Sequence, residues 1–172
     1  MTDNVLDRSV LTRRDFMKLG TLAAAGCLTG CAVNPVTGAS QLMLMNEGQE
    51  ISVDLENSPH QFSADYGQLL DGSLNGYIQR VGLGLSKLTH RPQMPYSFRG
   101  VNANYVNAYA FPGGSIAVTR GMLLKMDNEA ELAALLGHEL GHVNARHTAS
   151  QLSKGMLTQI LAAGAVAAVG EQ

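Results

Sequence analysis

The segment from Asn128 to Ser150 constrains this chain more than any other. Leu132, Leu135, Leu136, Leu140 and Val143 recur at the three- and four-residue spacing of an amphipathic helix, forming an apolar stripe that must face a core. Asp127 or Asn128 caps its start, and Asn128 with Glu131 has the spacing of a capping box. The pattern predicts that the helix continues beyond Ser150.

That helix carries His138-Glu139-Leu140-Gly141-His142, an HExxH motif. Imidazoles at i and i+4 lie one turn apart on the same face, close enough to chelate a single metal ion. Nitrogen ligands suit tetrahedral Zn²⁺, one per subunit, with a position left for water. Glu139, about 100° around the helix, stands beside the metal as the candidate general base that takes the water's proton. Five His and seven Glu in 172 residues make the motif improbable by chance, with about 0.006 occurrences expected in a shuffled chain.

A third ligand is harder to find. A third His of the HExxHxxGxxH type needs Gly at 145 and His at 148, where the sequence has Ala145 and Thr148. On a continuous helix His147 lies about 180° from His138 and cannot share its metal, which leaves it a structural or surface residue. Glu171 would sit about 43 Å from His142 along such a helix. The third ligand is therefore missing from this chain or comes from an upstream residue that the sequence does not single out.

Composition sets outer limits. A hydrophobic content of 45% with 15% charged residues is too apolar for disorder, and a net charge of −2 provides no basic field for nucleic acid. The two Cys, at 27 and 31, leave no disulfide framework in the body of the chain. Residues 1–30 read as an export signal, since the apolar stretch Leu19–Gly30 is too short to span about 30 Å of hydrocarbon. Arg13-Arg14, followed by Phe16 and Lys18, looks like the twin-arginine consensus, although a basic n-region also serves the general secretory route. Leu28-Thr29-Gly30-Cys31 looks like a lipobox, which makes Cys31 the lipidation site and 31–40 a lipid-anchored tether. The nine residues Ala32–Ser40 reach at most roughly 30 Å, so the folded part works close to a membrane.

The remaining elements follow from periodicity and punctuation. Gln41–Met45 is a short apolar strand or docking segment, and Asn46 caps a helix opening with Glu47 and Glu50. Residues 57–72 carry no clear pattern. Ser73 caps a helix marked by Leu74, Ile78, Val81, Leu85 and Leu88. Strands are expected at Tyr96–Val101, Val106–Phe111 and Ile116–Val118, the last two joined by a Pro112-Gly113-Gly114 turn. Gly155–Gly170 is an uncharged stretch too short for a membrane span, expected as a buried or interfacial helix. The fold class is α+β, a small β-sheet packed on the HExxH helix.

Asn34-Pro35-Val36-Thr37-Gly38 with Gln41-Leu42-Met43-Leu44, Asn107 to Gly114 leading to Val118-Thr119-Arg120-Gly121, and Asn128 to His147 occur in an order that resembles the HtpX-like, CAAX-prenyl-protease-like family of zinc metallopeptidases, in its bacterial lipoprotein branch. The resemblance implies a gluzincin with a zincin-like fold, of which residues 41–172 are the N-terminal part. His138 and His142 would be the zinc ligands, Glu139 the base, and a Glu on a later helix, past position 172, the third ligand. It implies that the strand with Asn107, Ala108 and Tyr109 borders the cleft and pairs with substrate main chain. Ala32 after the lipidated Cys31 favours the outer membrane, facing the periplasm. The implied activity is endopeptidase action on unfolded or misassembled envelope polypeptides. The alternative is a non-catalytic chaperone or adaptor of the same fold with an incomplete metal site.

Overall fold

The computed structural model describes residues 30–169. The segment expected to be an export signal, with Arg13 and Arg14, lies outside these residues up to position 29, as does Glu171. The chain divides into two compact units, Met1–Cys31 and Ala32–Gln172, and the fold below is that of the second.

Five strands and five helices are described. Strands β1 (Cys31–Val33) and β2 (Ser40–Leu42) pair as a small ribbon. Helix α1 (Glu47–Ala64) and helix α2 (Gly72–Ser86) precede strand β3 (Ser97–Val101), strand β4 (Ala108–Ala110) and strand β5 (Ser115–Thr119). The short helix α3 (Arg120–Leu123), helix α4 (Glu129–Asn144) and helix α5 (His147–Val169) follow.

The main sheet has the order β3-β5-β4, with β5 parallel to β3 and antiparallel to β4. A central strand covered on both faces must be apolar throughout. Accordingly Ile116, Ala117 and Val118 of β5 are all fully buried. Ile116 and Val118 join Phe98 in a core with Ile78 of α2 and with Leu132, Leu136, Leu140 and Val143 of α4. Ala117 faces the other way, into a cluster with Val101 and with Phe62 of α1. The sheet therefore lies between α2 and α4 on one face and α1 on the other. Gly82 lets α2 approach the sheet closely, because a Cβ there would stand 2.3 Å from the Phe98 ring.

The two sheet edges are treated differently. On β3, Phe98 N–H donates to Gln79 Oε1 at 2.6 Å and Gly100 N–H to Asn75 Oδ1 at 3.0 Å, so side chains from α2 close that edge. On β4, Asn107 and Phe111 bond towards β5 through Thr119 and Ser115. Antiparallel alternation then points the main-chain groups of Ala108 and Ala110 away from β5, leaving a short open edge alongside α4.

Three expectations need correction. Helix α1 runs through Pro59 to Ala64, where no pattern was visible in the sequence. Helix α2 is capped by Asp71, whose side chain accepts from Leu74 N–H, and not by Ser73. The expected continuous helix beyond Ser150 breaks at Ala145, and Arg146 adopts φ +56° before α5 begins. Of the stretch expected as a buried or interfacial helix, residues 155–169 are helical, and Met156, Ile160 and Leu161 of α5 are exposed. No helix among the described residues is long and apolar enough to cross a membrane.

Candidate metal centre

Helix α4 begins at Asn128, whose Oδ1 accepts the Glu131 N–H at 3.2 Å. Glu131 answers by accepting from the Asn128 amide and from Asp127 N–H. This fixes the helix start, and the buried leucines fix its rotation against the sheet. His138 is then exposed, His142 half-buried, and Glu139 buried at 8% exposure.

The two motif imidazoles converge. Nε2 of His138 lies 3.1 Å from Nε2 of His142, with the rings nearly perpendicular. Two nitrogens bound tetrahedrally to one Zn²⁺ at about 2.05 Å are separated by about 3.3 Å. The pair thus already stands at chelating distance, and the residues present fit the ion. Among the described residues no group of three or more His, Cys, Asp or Glu converges to hold a metal. Burial pushes the Glu139 carboxyl above its ordinary range, and the two imidazoles offset part of that rise. A carboxylate so raised, beside the imidazole pair, is better suited to accept a proton.

The far end of α4 is held by residues distant in sequence. Arg91, 5% exposed, donates to Val143 O at 3.0 Å, and the Asn34 and Gln41 side chains both donate to Ala145 O. Asn144 accepts from Arg91 N–H and donates to Tyr96 Oη. Beneath them the fully buried Glu50 takes Arg91 at 2.5 Å and Arg146 at 2.8 Å. Arg146 also donates to Met45 O, which pins it in its left-handed conformation. These bonds satisfy carbonyls that a helix end otherwise leaves orphaned. Residues from Asn34 onward, assigned to a tether up to position 40, are thus part of the folded body.

The expected cleft residues are placed as follows. Ala108 and Ala110 pack on the α4 side of the sheet. The Tyr109 ring lies on the opposite face against Phe62, and its hydroxyl donates to Asp65 Oδ2 at 2.5 Å. Asn107 is exposed and bonds Thr119 through its main chain. Cys31 opens β1. A cavity of about 830 Å³ opens between α1 and the sheet, with Asp54, Phe62 and Arg99 among its lining residues, and neither imidazole nor Glu139 borders it.

Asp65 ties the β4 segment to α1. Burial pushes its carboxyl up, but hydroxyls from Tyr109 and Tyr105 and the Gln61 amide together hold it below the usual 3.8. A carboxyl depressed in the folded state contributes stability above its unfolded pKa and loses it as pH falls through the folded value. Asp65→Asn is therefore expected to melt at lower temperature than wild type at neutral pH, with the gap closing as pH drops below 3.8, measured by thermal denaturation across pH.

His147 is exposed, in keeping with a surface residue, but it has a neighbour that helical spacing does not show. The break at Arg146 turns His147 back over α4, and its Nδ1 stands 2.7 Å from Nδ1 of His142. Only knowledge of that break could have revealed the contact.

Comparison with known proteins identifies the family. The profile of peptidase family M48 matches residues 73–172, and the chain belongs to that family. The chain is 32% identical over 112 residues to the beta-barrel assembly-enhancing protease of Yersinia pestis, covering 62% of this chain and 23% of that protein. It is 29% identical over 136 residues to the protein of the same name from Escherichia coli K12, covering 77% and 28%. With mitochondrial metalloendopeptidase OMA1 of Arabidopsis thaliana it shares 28% over 162 residues, covering 92% and 31%. The chain thus spans less than a third of the length of these relatives.

Proposed function

We propose that this chain carries the HExxH half of a zinc endopeptidase that hydrolyses unfolded or misassembled cell-envelope polypeptides. The observation that carries the reading is the 3.1 Å convergence of the His138 and His142 Nε2 atoms on the helix that buries Glu139. When bound there, zinc supplies a Lewis acid that makes a water more acidic and polarises a peptide carbonyl. Glu139 accepts the proton of the attacking water and returns it to the leaving amine nitrogen. The open β4 edge, through Ala108 and Ala110, holds an extended substrate by main-chain hydrogen bonds that are indifferent to side chains. Such recognition suits unfolded chains, and the names of the Yersinia and Escherichia relatives support an envelope setting. The finer placement, in the lipoprotein branch of the HtpX-like group, rests on the lipobox at Cys31 and the Asn34–Gly38 block. With Cys31 acylated and the body folded from Asn34, the catalytic face works next to the membrane, in this proposal the outer membrane on its periplasmic side.

The test is metal removal from the protein made from its complete reading frame. Treatment with 1,10-phenanthroline is expected to abolish cleavage of an unfolded outer-membrane protein, and stoichiometric Zn²⁺ to restore it. Cleavage that survives chelation would contradict the proposal. The lack of a third converging ligand among the described residues favours a second reading, a non-catalytic chaperone or adaptor that holds unfolded chains on the same edge. That reading predicts binding of unfolded protein without cleavage at any zinc level.

A further inference from the structure

We infer that His147 is a positioning residue for the metal site, accepting the Nδ1–H of His142 and so holding that imidazole in the tautomer whose Nε2 is free for a divalent cation. The inference rests on the proposed metal site and adds a residue to it. A neutral imidazole carries one ring proton, and the partner of one nitrogen decides what the other can do. The Nδ1 atoms of His142 and His147 are 2.7 Å apart, so one donates and the other accepts. If His147 accepts, His142 presents a bare Nε2 towards His138. If His147 donates, the His142 proton sits on Nε2 and blocks the cation. The two distances suit either direction along the row, and only the first leaves Nε2 of His142 bare, with His138 donating to it from Nε2 at 3.1 Å. Binding a metal would require moving only the His138 proton.

His147 itself is not a ligand. It meets His142 on the Nδ1 side, across the ring from the chelating Nε2. Its place depends on the break before α5. A continued helix would set residue 147 about 140° around from 142, out of reach. The left-handed Arg146, fastened by Glu50 and Met45 O, brings the ring back instead. The site is thereby linked to the buried ion pairs under α4.

The test compares His147→Ala with His147→Asn, whose Oδ1 can stand where Nδ1 was. Two-bond ¹H–¹⁵N correlation through the imidazole rings of the metal-free chain is expected to show His142 as Nδ1–H in wild type and Asn, and as a mixture rich in Nε2–H in Ala. Zinc affinity, by competition with a chromophoric chelator, is expected to fall about 10- to 100-fold in Ala and to recover in Asn. An unchanged His142 tautomer in Ala overturns the inference, as does equal loss of melting temperature in both variants without a tautomer change. If no version binds zinc, the metal-site reading fails, and the tautomer measurement still decides the role of His147.

Discussion

Replacing Glu139 by Gln is expected to lower the proposed peptide-bond hydrolysis by about 10²- to 10⁴-fold and to leave zinc content unchanged. Glutamine keeps the shape that fills this buried position on α4, so packing against the core is retained. It removes the one function the geometry assigns to the carboxylate, acceptance of a proton beside the paired imidazoles. Burial holds that carboxyl above its ordinary 4.5, and the imidazoles reduce the rise without cancelling it. Steady-state cleavage of an unfolded envelope protein, with metal content measured on the same samples, checks both parts. A Gln variant as fast as wild type would leave the binding-only reading standing.

The second large effect is on stability. Glu50→Ala is expected to cost about 3–5 kcal/mol and to lower the melting temperature by roughly 10 °C. Glu50 is fully buried, and its two oxygens serve the guanidinium groups of Arg91 and Arg146, whose side chains are only 6% and 14% exposed. Removing the carboxylate leaves Arg146 without its counter-charge and leaves Arg91 with Glu47, which is itself half in solvent. The loss should be largest where the network acts. Amides from Val143 to His147 are expected to exchange faster than the rest of α4, because the clamp on the helix end and the left-handed turn loosen together. Hydrogen exchange with uniform acceleration over all of α4 would contradict this localised role.

How much of this could be read in the residues depends on the range of the forces involved. Helix α4 was readable because its cap, stripe and motif are local, as was the β4–β5 turn, where Gly114 adopts φ +106°. The path of α1 through Pro59 was not. Proline normally disfavours a helix interior, and here the turn it weakens lies beside the exposed Leu55. The break at Arg146 had no local signal either, because arginine adopts a left-handed conformation only when other groups impose it. Those groups, Glu50 and Met45, lie about a hundred positions upstream. For the same reason the Asn34 block has only the local character of a tether in the sequence, although the Asn34 side chain reaches the carbonyl of Ala145 across 111 positions. The pair of motif imidazoles, at four-residue spacing on one helix, is visible in the sequence. The orientation of its outer partner His147 depended on these long-range contacts and so was not.

Cobalt or zinc titration of the purified chain, with His138→Ala, His142→Ala and the double variant alongside, bears most directly on whether these imidazoles grip one ion. One equivalent per wild-type chain is expected, weakened in each single variant and absent from the double. A wild-type chain that takes up no metal, or a double variant that binds as well as wild type, would contradict it.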